Sequence, residues 1–548
     1  MKPVTPLSVE ILRTLPAQES ETESRLEEAV RWILDDGCYA GMQQHRPATT
    51  RQVPRAKLDV ADVTLMHEAG QLKEVNLEFV RGYVQMFAVP ELAKRRRRVI
   101  KHTRAINDAF DRRTILPVRQ PTRAQQSAQA ASGAFALTLD FAAFFDQFEI
   151  AATIQRRMCF RSGGRVWALT RMPMGQRHAV AVAQCATDKL LSFAYPAGVT
   201  AQSCIDNVRF VGSRLGVIEA ARIFVDRCRK VGATLNELSA QDDVKTALER
   251  LVHQEGDWLG AVYDYKTAKQ KVAVKSVDKL RLSWNRRQRW THRQYAAHMG
   301  LLFFCASVLR MPLAGYFEAL KQLRRRSSDL AANEELWEQP VEVAPGEWDA
   351  LSRWTATALK NEWVPCDNGA KASKFIITDA SGWGWGALCF DERTGATTWH
   401  SQEWSAADRR RIDTDASTRA EPEGVLQALR RFCWRGERGP VAVLTDSTTA
   451  KYALTKGYSA SFEVNAIVAR VKAEFPLLQL HLHHIAGTAN PADGLSRNAE
   501  GWDPASADEL ARRCIEQADN GVAAGRRDLG VMRSPLLASA SGSCGDRL

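Results

Sequence analysis

Eleven cysteines lie scattered between Cys38 and Cys544 in 548 residues, and no two of them form a CxxC pair. That lack excludes the paired-thiolate spacing of zinc ribbons and fingers and speaks against a disulfide framework. A reducing setting follows as the expectation: intracellular, in nucleus or cytoplasm, and not secreted. The N-terminus, MKPVTPLSVEILRTLPAQESETESR, has no apolar core of signal-peptide length. Long hydrophobic runs are missing too. The most apolar stretch, Met299–Phe317, is broken by Arg310 and Pro312 and reads as a buried helix, so no membrane partner is expected. No internal repeat is visible.

What is present is an ordinary globular interior and an excess of positive charge. The apolar fraction is 45%, and Lys and Arg outnumber Asp and Glu 75 to 63, for a net charge of +12. The basic residues cluster as KRRRR at 94–98, NRRQRWTHR at 285–293 and RRR at 324–326. Each run alone reads as a solvated face. Three runs interleaved with Trp and His read better as a track for a polyanion such as nucleic acid.

The chain is long enough for several domains. Residues 1–75 read as a helical, polar N-terminal extension. Residues 76–270 alternate short β-type runs with amphipathic helices. Residues 271–330 hold two packed helices at 291–326, and a Trp-rich connector fills 331–373. A new α/β unit runs over 374–498, and the Ala-, Ser-, Gly- and Arg-rich residues 499–548 read as a weak helix and then a mostly disordered tail. The fold class is multidomain, α+β and α/β.

Two sets of carboxylates carry the chemistry. In ALTLDFAAFFDQF (136–148), a strand ends at Asp140 and an amphipathic helix is expected next, with Asp146 on its surface. A carboxylate at a rigid strand end suits a hard cation. A hairpin MCFRSGGRVWAL follows, with its Gly pair in the turn. Pro173 and Gly175 then make a turn into a long small-residue helix. In SCIDNVRFVG, Asp206 sits at a hairpin tip.

In this order these segments resemble the palm of reverse transcriptases. Asp140 matches the metal-binding Asp of that family's motif A, MPMG (172–175) resembles motif B, and CIDN (204–207) occupies the place of YxDD. KVGATLNE (230–237) and DWLGAVYDY (257–265) resemble the two following motifs, and 271–330 would be the thumb. RVIKHTRAIN resembles the fingers strand, where Arg98, with Lys94 as partner, would grip the incoming triphosphate. The resemblance implies nucleotide contacts from Met174, Gly175 and Asn207. It makes Phe145 a ring beneath the sugar that selects dNTPs, while Phe144 and Phe148 read as core. Two Mg²⁺ ions per site (Mn²⁺ is an alternative), about 3.5–4 Å apart, are implied, held by Asp140 and Asp206. One departure stands out: Asn207 replaces the second Asp of YxDD.

The second set is FIITDASGWGWGALCF with Asp379, STRAEPEGVLQAL with Glu421 in the first turn of a helix, VAVLTDSTTAKYAL with Asp446, and HLHHIAGTANPADGLSR with Asp493. Four carboxylates at the ends of separate elements suit a two-metal site. Their order and context resemble the RNase H domain of retroelements, whose four acidic positions they match. Glu423 competes with Glu421 for the second position, and His484 reads as a loop-shaping residue. The fold expected is therefore a right-hand polymerase, with fingers, palm and thumb, followed by an RNase H-like domain.

The resemblance covers about 79–497. It implies an RNA-directed DNA polymerase with RNase H activity, acting on RNA template, DNA primer, RNA–DNA hybrid and dNTPs. HIAGTANPADGLSR and THRQYAAHMGLLFF are most similar to the tyrosine-recombinase retrotransposons (DIRS-like, VIPER and TATE elements), whose recombinase would be a separate chain. The alternative is a degenerate or domesticated nucleic-acid-binding protein with an inactive palm.

Overall fold

The computed structural model describes residues 5–31, 34, 53–91, 96–110, 115–239, 241–287, 290–367, 371–412 and 416–528. The chain is mixed α/β with several separate sheets. It divides into two compact units, one made of residues 1–258 and 264–268, the other of residues 259–263 and 269–548.

The first unit is built on antiparallel pairs. Strand β1 (Leu72–Val75) joins a sheet with β5 (Cys159–Ser162) and β6 (Arg165–Leu169), β2 (Gln85–Glu91) pairs with β3 (Arg96–His102), and β4 (Phe135–Asp140), β7 (Thr200–Cys204) and β8 (Asn207–Gly212) form a third sheet with β8 in the middle. The β5–β6 hairpin turns at Gly163 and Gly164, with φ of +60° and +78°, values open to glycine at little cost. Helix Ala179–Leu191 opens on the small apolar run AVAVA and is buried along most of its length, its polar Gln184, Thr187 and Lys189 included.

Two expectations change here. The N-terminal extension is no separate appendage: Leu12, Leu26, Val30, Val63 and Met66 lie in the same core as Leu137, Leu139 and Phe210. Apolar residues at helical spacing in Val9–Thr14, Ser20–Arg31 and Val60–Glu68 had a face to bury, and this core takes it. The segment after Asp140 is not an amphipathic helix. Ala143 adopts φ +44° and a single 3₁₀ turn, Phe144–Gln147, follows. That tight turn brings Asp146 inward to an ion pair with Lys101, so Asp146 is no surface residue.

Short strands β9 (Glu255–Trp258), β10 (Ala261–Asp264) and β11 (Lys269–Val272) follow, and β12 (Val364–Pro365) pairs antiparallel with β11. Helices His292–Leu309 and Phe317–Ala332 stand where two packed helices were expected. The connector, however, contains a full helix, Pro345–Lys360. Its Glu347 is buried in an ion pair with Arg326 and accepts a hydrogen bond from the Tyr295 hydroxyl at 2.7 Å. Arg326 is thus fixed inside the helical layer and is not part of a surface track.

The rest of the second unit is a five-stranded sheet in the order β15-β14-β13-β16-β17, from β13 (Lys374–Ala380), β14 (Gly384–Asp391), β15 (Ala396–Glu403), β16 (Gly439–Thr445) and β17 (Leu478–His484). β13, β16 and β17 run parallel, while β14 pairs antiparallel with both β13 and β15. Parallel strands covered on both faces read as continuous apolar runs, as FIIT and VAVL do. Helix Ala416–Phe432 covers one face with Val425, Leu426 and Leu429. The other face, through Phe375, Ile377 and Leu444, packs on Ala511, Cys514 and Ile515 of helix Pro504–Asp528. The weak helix expected after residue 498 is thus a structural one, Pro504–Asp528, and the tail expected to be disordered beyond it lies outside the described residues. Among the described residues no helix is long and apolar enough to cross a membrane.

Candidate metal-ion sites

Strand polarity assembles the first site. Because β13 and β16 are parallel, with Ile377 beside Leu444 in register, their C-terminal ends open at one sheet edge. Asp379 lies near the end of β13, and Asp446 is the residue after β16. Helix Ala416–Phe432 crosses the same edge with Glu421. Ligand oxygens of Asp379, Glu421 and Asp446 lie within 4.8 Å of one another, the one such group of three or more His, Cys, Asp or Glu among the described residues.

The electrostatics of the group fit a divalent cation. Burial, then the charges of Asp379 and Asp446, push Glu421 up to about 9, and its Oε2 is buried without a hydrogen-bond partner. Burial also raises Asp379 to about 6, against a hydrogen bond from Ser496 and with the charges of Asp446 and Asp493 adding to the rise. Three carboxylates crowded together at this cost, one with an orphaned oxygen, form a donor set of hard oxygens.

Glu421 stands in the second turn of its helix and not the first, because the helix begins at Ala416. Pro422 beside it cannot donate to the carbonyl of Thr418, a local break in the ladder at this carboxylate. Glu423 points elsewhere: its Oε2 pairs with Arg470 and its Oε1 accepts from Gln427 at 3.0 Å. Asp493 begins the short helix Asp493–Ser496, and its carboxylate pairs with Arg497 at 2.9 Å, outside the group of three. His484 ends β17, after which Gly487 approaches so closely that a Cβ there would meet Asp446 Oδ2 at 3.0 Å. Two holding residues escaped notice in the sequence. Asn490 Nδ2 donates to Asp379 Oδ1 at 3.2 Å, and the Ser496 hydroxyl donates to Asp379 Oδ2. Both stand in TANPADGLSR, where polar residues flanking an expected metal ligand were the available signal.

The second site lies at the end of the β4–β8 pair. Asp140 and Asn207 are direct partners across the ladder, and Asp206 is in the two-residue turn between β7 and β8. Burial raises Asp140 despite a hydrogen bond from Asn236, and the charges of Asp206 and Glu237 raise it further. Asn236 Nδ2 donates to Asp140 Oδ2 at 2.7 Å, while the Asp140 N–H donates to Glu237 Oε2 at 3.0 Å. Asn207 Nδ2 donates to Asp206 Oδ1 at 3.0 Å. Asn236 and Glu237 were not singled out as site residues, although their segment was. Ile205 in the turn has φ +59°, a strained value for a β-branched residue that costs on the order of 1–3 kcal/mol.

Of the expected nucleotide contacts, the structure joins Arg98 and Met174, with Arg98 Nη2 2.8 Å from the Met174 sulfur. Arg98 also lies 3.7 Å from Glu91. Gly175 has φ +124° and its carbonyl accepts from Asn107 Nδ2 at 2.7 Å, so the MPMG turn is tied to the segment after β3. Lys94 lies outside the described residues. Phe141 and Phe144 stack at 4.0 Å and Phe148 packs edge-on to Phe144, all within the core. Phe145 shares that core but is the most exposed of the four, at 8%.

No protein-family model matches the chain, and no curated protein matches it. Among solved structures it is similar over 88% of its length to a foamy viral protease-reverse transcriptase in complex with double-stranded DNA, at 14% identity and a TM-score of 0.44, covering 98% of that chain. It is similar to the same viral protein in complex with RNA/DNA hybrid at 15% identity and a TM-score of 0.44, covering 63% of that chain. The native prototype foamy virus protein aligns at a TM-score of 0.31.

Proposed function

We propose that this chain is a retroelement RNA-directed DNA polymerase with RNase H activity, its 76–270 forming fingers and palm, 271–330 the thumb and 374–498 the nuclease. The observation that carries the reading is the convergence of Asp379, Glu421 and Asp446 from three elements on one sheet edge, with Glu421 left short of a partner. Asp379, Glu421 and Asp446 would hold the divalent ions of the nuclease, and Asp493, paired with Arg497 at 2.9 Å, would have to leave that partner to join them. Asp140 and Asp206 would hold those of the polymerase. Bound Mg²⁺ or Mn²⁺ supplies activation of the attacking oxygen and charge stabilisation at the leaving oxygen. The protein's own contribution is placement: Asn490 and Ser496 fix Asp379, and Asn236 fixes Asp140. Arg98, beside the exposed Met174, would meet the triphosphate.

The partners in this reading are an RNA template, a DNA primer, their hybrid and dNTPs, with a recombinase on a separate chain as in the DIRS-like elements. A second reading has its own observation. With Asn207 opposite Asp140, the palm carries one carboxylate fewer than the family pattern, and the nuclease would then be the one active centre. Primer extension on an RNA template, and cleavage of a labelled RNA–DNA hybrid, decide between them. The first reading expects Asp206→Asn to stop extension and spare cleavage, with Asp379→Asn doing the reverse. Absent extension by the wild type in both Mg²⁺ and Mn²⁺, with cleavage intact, selects the second.

A further inference from the structure

The β7–β8 hairpin leaves only Ile205 and Asp206 in its turn, since Cys204 and Asn207 are already paired. Ile205 nevertheless sits at φ +59°. A backbone shape disfavoured by its own residue persists only where surrounding bonds impose it. Here both backbone groups of Ile205 are claimed by one helix. The Ile205 N–H donates to Gln184 Oε1 at 2.8 Å, and the Thr187 hydroxyl donates to the Ile205 carbonyl at 2.7 Å. Both residues are fully buried on helix Ala179–Leu191, among alanines and valines.

The orientation of the Gln184 amide is itself fixed. Its Nε2 donates to Asp188 Oδ1 at 2.8 Å and lies 2.7 Å from Ser203 Oγ, which also donates to Asp188 Oδ1 at 2.8 Å. Burial pushes Asp188 up from the ordinary carboxylate range, but the Ile205 N–H can only donate, so the amide oxygen must face Ile205 and the amide nitrogen Asp188. The next residue after this clamped position is Asp206, whose charge bears on Asp140.

We infer that Gln184 and Thr187 are positioning residues for Asp206, holding the Ile205 turn in the strained shape that sets the Asp206 carboxylate beside Asp140. The assignment rests on the polymerase reading of this site for its consequence, but the clamp itself does not. Neither residue touches the reacting atoms.

The test combines hydrogen exchange with kinetics on the full chain, using Gln184→Met, Thr187→Val, Thr187→Ser and Ile205→Gly. Native-state exchange is read by mass spectrometry on peptides covering 199–212. Gln184→Met and Thr187→Val are expected to speed exchange there by about tenfold, the worth of one lost hydrogen bond, with other peptides unchanged. The Mg²⁺ concentration for half-maximal extension should rise several-fold and kcat fall, with KM for primer–template and hybrid cleavage unaltered. Thr187→Ser keeps the donor and should behave as wild type. Ile205→Gly removes the strain, so adding it to Gln184→Met should recover part of the loss, a rescue that simple core damage would not show. Should Gln184→Met fail to fold, the Thr187→Val and Thr187→Ser pair decides alone. Unchanged exchange at 199–212 in Thr187→Val and Gln184→Met would overturn the inference. A wild type that does not extend would sink the polymerase reading, with exchange still deciding the clamp.

Discussion

Asp140 and Asn207 face each other as the last partners of the β4–β8 ladder, and the Asn207 amide donates to Asp206, so a neutral donor sits where two acids converge. Its replacement by Asp restores a charge and removes that donor. Cation affinity at oxygen sites follows ligand charge, so Asn207→Asp should lower the Mg²⁺ needed for extension by about tenfold. Without metal the added repulsion should cost about 1 kcal/mol of stability. Mg²⁺ titrations of extension and metal-free melts check both. An unaltered Mg²⁺ requirement would place residue 207 outside the ion's reach.

The group of Asp379, Glu421 and Asp446 predicts an unusual pH dependence for the metal-free protein. Glu421 titrates near 9 in the folded chain, against an ordinary value of 4.5. Between those values the folded state holds a proton that the unfolded state has released. Stability therefore declines as pH rises across that window, the reverse of the common salt-bridged carboxylate. Glu421→Gln should abolish hybrid cleavage yet raise the melting temperature in EDTA at pH 8 by roughly several degrees, with little change at pH 4. Mg²⁺ should stabilise the wild type more strongly as pH rises, because binding expels the proton. A flat EDTA profile from pH 5 to 9 would contradict this.

Glu421 and Glu423 separate cleanly by what they touch. Glu423 is buried against Arg470 and takes a further bond from Gln427. Glu423→Gln should thus cost about 1.5–3 kcal/mol of stability, the range for a charged hydrogen bond. Hybrid cleavage measured well below its melting point should stay near wild type. Urea unfolding paired with a cleavage assay distinguishes the two glutamates, and loss of cleavage without loss of stability in Glu423→Gln would exchange their roles.

Much of this arrangement was legible in the residues. Strand ends carry their own mark, an apolar run stopping at an acid, and Asp140, Asp379 and Asp446 all follow it. The hidden part is tertiary. Nothing local tells that Gln184, one polar residue in AVAVAQCATDKLL, faces a turn twenty-one residues away, or that Glu347 in the Trp-rich connector closes on Arg326. Gln184 still left a trace, since an amide set directly after the apolar run AVAVA of a buried helix needs a buried partner. Asp146 misled because the FAAFFDQF pattern fits an amphipathic helix, while the real chain breaks at Ala143 with φ +44°. At the C-terminus composition pointed to a weak helix, and what it hid is that Ala511, Cys514 and Ile515 of that helix cover a sheet face.

That C-terminal helix carries the last prediction. Its Ala511, Cys514 and Ile515 cover Phe375, Ile377 and Leu444, the inner strands on which Asp379 and Asp446 are mounted. Trp502 ahead of it donates from Nε1 to the Pro491 carbonyl at 3.1 Å, and Cys514 Sγ lies 3.3 Å from the Ala489 carbonyl, bracing the loop that leads to Asp493. A chain ending at Arg497 would leave one face of a doubly covered sheet in water. Each large apolar side chain so exposed forfeits about 1.5–3 kcal/mol, and several together approach the whole margin of about 5–15 kcal/mol of a typical domain. Such a truncation should lose hybrid cleavage and aggregate through the bared strands. Ala511→Asp, a single charge in the same seam, should destabilise less and depress cleavage in step with the folded fraction. Dye binding, sedimentation and cleavage on the two variants test it: a soluble, active chain ending at Arg497 would mean the helix is dispensable and the sheet closes its face some other way.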